Sequence, residues 1–301
     1  MRTLIAAAAS FALFAATPAF ADEVRDALEA YALYQSDVSA LLDSEIASAR
    51  AVDAALARLQ HHNPRNVARG WIAYGALTAA QSPDFAAGIA RVADESGRAP
   101  FLAQLRGDLT FARRGPRGSS DAIQFILNAA SADGARVAMA GARYERFARS
   151  PAPRQHASAG ESTGANIRLS AEMQGRLRVT AVSARPMIDI SDFGGRGFWD
   201  AMAGRDANAP RGRHRRENTP YAAVTDHMLT LGALVVTEST GRERRRVSAL
   251  LNEPLTQYCL AMERQQLRQC VGVSVDASER AYCLARHGLS GPGGCFSAIA
   301  R

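Results

Sequence analysis

PLTQYCLAMERQQLRQCVGVSVDASERAYCLARHGLSGPGGC, residues 254–295, decides the fold. It holds Cys259, Cys270, Cys283 and Cys295, after 258 residues with no cysteine. Pro254 to Cys270 reads as one helix. A final helix is expected from about Asp276 to His287, ended by Gly288, Gly291, Pro292, Gly293 and Gly294. Cys259 and Cys270 lie eleven residues apart. On one helix they share a face but stand about 16 Å apart along its axis, too far to bond to each other. Cys270 and Cys283 flank the turn Val271 to Asp276, so an antiparallel hairpin joins them. Cys259 is left for Cys295, with the glycine-rich segment folding the tail back. A zinc site is the competing reading of four cysteines, but the short C-x2-C or C-x4-C pairs usual in such sites are absent. The fold class that follows is all-α: an irregular multi-helix array with a disulfide-stapled C-terminal helical hairpin.

Working outward, residues 219–301 form a C-terminal helical region, with helices at Tyr221 to Thr237 and Val247 to Leu251 preceding the hairpin. Residues 22–150 form an N-terminal helical region. Val24, Leu28, Tyr31 and Val38 begin an amphipathic run that Ile46, Val52, Leu56 and Leu59 continue at helical spacing. Asn63-Pro64 and Ser82-Pro83 each pair a capping residue with a first-turn proline, which predicts helix starts at Pro64 and Pro83. Between the two regions, residues 151–218 are rich in Pro, Gly, Ser and Arg and lose hydrophobic periodicity. They read as a partly disordered linker, with a short strand at Leu177 to Val182 and a helical turn at Phe198 to Met202 as ordered islands.

Residues 1–21 carry the order of a secretory signal peptide. Arg2 supplies the charge, Leu4 to Ala16 the apolar core, and Ala19-Phe20-Ala21 the cleavage site. Cleavage after Ala21 and a periplasmic location are expected, which suits disulfides. Met228 to Val236, the next most apolar stretch, is about half the length a membrane helix needs, so the chain is not expected to be an integral membrane protein.

All 36 basic residues are arginine, and the formal net charge is +7. Without lysine there is no P-loop lysine, Schiff-base cofactor or Ser-Lys dyad. No cofactor and no metal are expected. Two arginine runs stand out as anion-binding candidates: Arg211, Arg213, Arg215 and Arg216, and then Arg242, Arg244, Arg245 and Arg246. In an exported protein these point to an anionic envelope polymer or a protein partner, not to nucleic acid.

Three motifs suggest chemistry, and each has a plainer reading. Asp94-Glu95-Ser96-Gly97-Arg98-Ala99-Pro100 resembles the Glu-Ser-Gly-x-x-Pro start of lytic transglycosylases, which implies Glu95 as a general acid on peptidoglycan. That family's later Gly-Ala-x-Gly-Leu-x-Gln stretch is missing, and a helix stopped by Gly97 explains the same residues. Asp189 to Asp200 imitates a calcium loop, but Phe193 occupies a ligand position. His61 and His62 are adjacent. On a helix they diverge by about 100° and do not share a metal, so a helix C-terminus holding partly positive histidine is the expectation.

Asn63 to Gln81, Phe193 to Arg205 and the Cys259 to Cys295 tail together resemble uncharacterised exported all-helical proteins of Gram-negative bacteria with a four-cysteine C-terminal tail. The resemblance implies an exported all-α fold and carries no chemistry. The functional expectation is therefore a non-catalytic periplasmic protein that binds or scaffolds an anionic envelope component. Peptidoglycan cleavage by Glu95 is the alternative.

Overall fold

Pro64 starts the helix around which the others pack. A computed structural model of the chain describes residues 22–150 and 220–300. The described residues are all-helical, with no strand among them. In chain order they open with α1 (Asp22–Asp43), α2 (Ala49–Gln60) and α3 (Pro64–Ala80). The Asn63 side chain accepts from the amides of Arg65 and Asn66, as the capping pair predicts. α4 (Pro83–Ser96) also starts at its proline, although the Ser82 side chain makes no capping bond.

From Val67 to Ala79, α3 is buried on nearly every side, which marks it as the central helix. α1 lies against one side of it and α8 (Pro220–Val236) against another. Small residues make these contacts close. A Cβ on Gly70 would sit 2.3 Å from the Ala27 carbonyl oxygen of α1, and one on Gly75 would strike the Met228 side chain of α8. Trp71 and Tyr74 of α3 meet Tyr31 of α1 with ring centroids 5.8 and 5.4 Å apart. Their aromatic pattern is core packing.

α5 (Arg98–Gly107) and the short α6 (Phe111–Arg114) lead into the long α7 (Ser119–Arg149). α7 starts at Ser119, directly after Gly118, whose φ of +79° suits glycine. Buried Asp133 ties α7 to α1. It accepts from the Tyr31 hydroxyl and pairs with Arg136, and Arg136 also reaches Gln35 at 3.1 Å. Burial raises the Asp133 carboxyl, while Arg136 and Tyr31 oppose the rise.

Beyond α8, the chain forms α9 (Arg244–Leu251) and α10 (Pro254–Val273), then reverses at Ser274 to Asp276 into α11 (Ala277–Cys283). The Cys270–Cys283 and Cys259–Cys295 disulfides both form. One expectation fails here. Gly288 and Gly291 to Gly294 do not end the helix. α11 runs into a π-helical segment, Leu284–Ser290, then α12 (Gly291–Ser297) and a last 3-10 turn. The hairpin is thus helical on both sides, with two covalent rungs. The rungs are eleven residues apart on α10 and twelve on the returning side. The π-segment takes up the extra residue, as single-residue insertions into helices do. Three of the glycines serve close packing: Gly293 against α7, Gly291 against Glu263 of α10, and Gly288 against Leu284 and Leu267. A Cβ on Gly293 would lie 2.8 Å from the Gly134 carbonyl oxygen, and one on Gly134 2.6 Å from Ser297 Cβ.

Arginine does structural work at four helix ends among the described residues. Arg143 donates to the carbonyls of Ser44 (2.7 Å) and Leu41 at the end of α1. Arg264 donates to Leu59 (3.2 Å) and Gln60 at the end of α2. Arg246 donates to Leu105 (3.0 Å) in the last turn of α5. Arg98 reaches the carbonyls of Thr237 and Glu238, just past α8. Helix C-termini carry orphan carbonyls and partial negative charge, so a guanidinium from another helix satisfies both. No helix among the described residues is long and apolar enough to cross a membrane.

Residues 1–21 and 151–219 lie outside the described residues. With them go the predicted cleavage site, the strand at Leu177 to Val182, the helical turn at Phe198 to Met202 and the calcium-like stretch Asp189 to Asp200.

Candidate functional site

Two corners of the described residues gather polar side chains outside the apolar core. The first lies where α5, α8 and α9 meet. α9 begins with Arg244, Arg245 and Arg246, directly after Glu243. The run divides by role. Arg246 turns inward to the Leu105 carbonyl, and burial pulls its guanidinium below the ordinary range, with Glu243 opposing. Arg242, Arg244 and Arg245 are exposed and make no side-chain hydrogen bond or ion pair among the described residues. Glu243 is occupied by Arg106 at 2.8 Å. Arg211, Arg213, Arg215 and Arg216 lie outside the described residues.

The second corner lies where the end of α2 meets α1 and the disulfide hairpin. α2 stops at Gln60 because Asn63-Pro64 must open α3, so His61 and His62 sit in the connection. Freed from helical spacing, they converge. Their ring centroids are 4.0 Å apart. This overturns the expectation that adjacent histidines diverge. Asp37 of α1 faces both, with Oδ2 2.9 Å from His62 Nε2 and 3.7 Å from His61 Nε2. Its other oxygen accepts from Arg58 at 2.7 Å. Burial alone raises the Asp37 carboxyl, but the His62 and Arg58 hydrogen bonds outweigh it, and the group lies below its ordinary range. His61 goes the other way from the expected partly positive state. Burial, with His62 adding to it, pushes it down to about 4, so its ring is neutral at pH 7. Both His61 ring nitrogens are buried without a well-aligned hydrogen bond, their looser contacts being with the Ala57 and Arg58 carbonyls.

A cleft opens beside this trio. Tyr34, His62, Val67, Arg264, His287 and Pro292 line it, so its walls come from α1, the α2–α3 connection, α3 and the hairpin. Arg264 is spent on the α2 carbonyls, and His287 Nδ1 lies 3.0 Å from Glu263 Oε2. What the cleft offers is an apolar wall with a few basic groups at its rim.

Glu95 stands elsewhere. It is exposed near the end of α4, beside Ser96 and a Gly97 with φ of +81°, and it does not line the cleft. The helix stop accounts for the motif. Cys259, Cys270, Cys283 and Cys295 are all consumed by disulfides.

Sequence reasoning missed the trio of Asp37, His61 and His62. The signal was present: a histidine pair directly before an Asn-Pro helix start cannot continue a helix through both residues. Comparison of the chain with protein-family models, curated proteins and solved structures finds no match.

Proposed function

We propose that the protein is an exported, non-catalytic binding protein of the periplasm. It engages an anionic component of the cell envelope, or an anionic face of a protein partner, through the basic surface at the start of α9. One observation carries this reading. Arg242, Arg244 and Arg245 are exposed and unengaged around the first turn of a helix. Positive charge there opposes the helix dipole, so helix stability gives no reason for it. Arg246, in the same run, has a structural partner and needs no other explanation.

Two disulfides support an oxidising compartment, and residues 1–21 have the order of a cleaved leader. Three exposed cations on a chain of formal charge +7 attract phosphates or carboxylates over about a Debye length, so binding weakens with salt.

The test is co-sedimentation of the mature protein with purified envelope fractions at low and high salt. Wild type is expected to sediment at low salt and to be released at high salt. The Arg242→Gln, Arg244→Gln, Arg245→Gln triple variant is expected to stay in solution. Salt-indifferent binding would remove the electrostatic reading. Muropeptide release by wild type and not by Glu95→Gln would replace it with the transglycosylase-like alternative.

A further inference from the structure

We propose that Asp37, His61 and His62 form a binding site for a divalent first-row transition metal ion, zinc above all. This goes beyond the envelope-binding reading and does not depend on it.

The donor geometry comes first. The three residues each offer a donor atom, and these lie within 4.8 Å of one another. In a tetrahedral zinc site with bonds of about 2.0–2.1 Å, neighbouring donors stand about 3.3 Å apart. The two distances from Asp37 Oδ2, 2.9 Å to His62 and 3.7 Å to His61, bracket that value. An ion would lengthen one by a few tenths of an ångström and shorten the other by as much.

An ion pair alone leaves one residue unexplained. Arg58 and His62 already satisfy Asp37, at 2.7 and 2.9 Å. His61 is the residue without a role. Its ring lies against that of His62, its Nε2 stands 3.7 Å from Asp37 Oδ2, and its buried nitrogens make no well-aligned hydrogen bond, only looser contacts to the Ala57 and Arg58 carbonyls. Buried polar atoms are rarely left so.

The groups around the trio hold it in place. Arg58 fixes Asp37 through Oδ1 and leaves Oδ2 facing the histidines. Arg264 grips the Leu59 and Gln60 carbonyls, which immediately precede His61. Arg264 stands on α10, whose position the Cys259–Cys295 bridge pins. Such outer partners orient ligands in metal sites.

Charge and donor type set the selectivity. The Arg58 charge offsets that of Asp37, so the site offers little net negative charge to a hard cation. Two imidazoles favour zinc, nickel or copper over magnesium or calcium. Three protein donors leave a fourth position for water or for a ligand atom in the cleft, which His62 also lines.

The test uses untagged, disulfide-bonded mature protein stripped with chelator and titrated calorimetrically with zinc chloride, with magnesium chloride as control. One zinc per chain and no magnesium binding are expected. Asp37→Asn, His61→Gln and His62→Gln should each weaken zinc at least about tenfold, while His227→Gln leaves it unchanged. Circular dichroism checks that each variant folds. If any does not, X-ray absorption of the wild-type zinc complex decides, with two imidazole ligands expected. Failure of wild type to bind zinc stoichiometrically would overturn the proposal. So would binding that all three substitutions leave intact, or an absorption spectrum without imidazole.

Discussion

The α9 corner and the α2 corner use the same device to opposite ends. In each, an arginine from a late helix donates to the carbonyls that close an early one: Arg246 to Leu105 and Arg264 to Leu59 and Gln60. Around Arg246, Arg106 occupies Glu243, and Arg242, Arg244 and Arg245 are exposed. Around Arg264, two histidines and a carboxylate are drawn within 4.8 Å of one another. The α2 corner is also crosslinked, and the α9 corner is not. A rigid corner can hold donor atoms at coordination distances. A corner that only presents charge needs no such precision. The difference suits the coordination chemistry proposed for one and the long-range electrostatics proposed for the other.

The largest expected effect comes from removing the covalent support of the α2 corner. The Cys259–Cys295 bridge spans 36 residues. Its loss in a Cys259→Ser, Cys295→Ser variant is expected to cost about 3 kcal/mol of unfolding free energy, read by urea denaturation. If the midpoint hardly moves, the hairpin does not depend on its outer rung, and the contrast between corners weakens.

The next largest effects compare the two capping arginines directly. Arg264→Met removes bonds to two carbonyls and Arg246→Met to one. Costs of about 2 and about 1 kcal/mol are expected in the same assay. The reverse order would mean that the α9 corner is the better anchored of the two.

A smaller effect depends on pH. Asp226 on α8 pairs with Arg113 of α6, and burial raises its carboxyl above 3.8 while Arg113 opposes the rise. A carboxyl raised in the folded state holds its proton more tightly there than in the unfolded chain. Its contribution is therefore full below pH 3.8 and shrinks as pH rises through the folded value. The stability difference between wild type and Asp226→Asn should accordingly move against wild type from pH 3.8 upward. A difference that is flat with pH, or moves towards wild type, would show that Arg113 outweighs burial.

Much of this architecture was legible in the sequence, and the failures share a cause. Pro64 and Pro83 located helix starts because proline lacks a donor that a first turn does not need. The disulfide pairing followed from rise per residue, which kept Cys259 from Cys270, and from the turn after Cys270, which brought Cys283 to it and left Cys295 for Cys259. Gly288 to Gly294 misled because glycine serves two purposes. It ends helices by conformation and also lets helices touch, and here the contacts of Gly293 with Gly134 of α7 and of Gly291 with Glu263 of α10 decide. The histidine pair misled because divergence was argued for a helix that Asn63-Pro64 had already stopped. Asp37 was invisible because its meeting with His62 joins residues 25 apart, and no local pattern encodes it. The separation of Arg246 from its neighbours likewise depends on α5, 141 residues away in sequence.

The smallest expected change in stability belongs to the exposed arginines, and it frames the most direct test of the account. Arg242→Gln, Arg244→Gln, Arg245→Gln should shift unfolding by less than about 0.5 kcal/mol, since none has a described partner to lose. The decisive measurement is envelope co-sedimentation of that triple variant at low salt beside Arg246→Met, with unfolding followed on the same samples. The account expects a crossing: the triple variant keeps its stability and loses sedimentation, while Arg246→Met loses stability and keeps sedimentation. Equal sedimentation of the triple variant and wild type would contradict it.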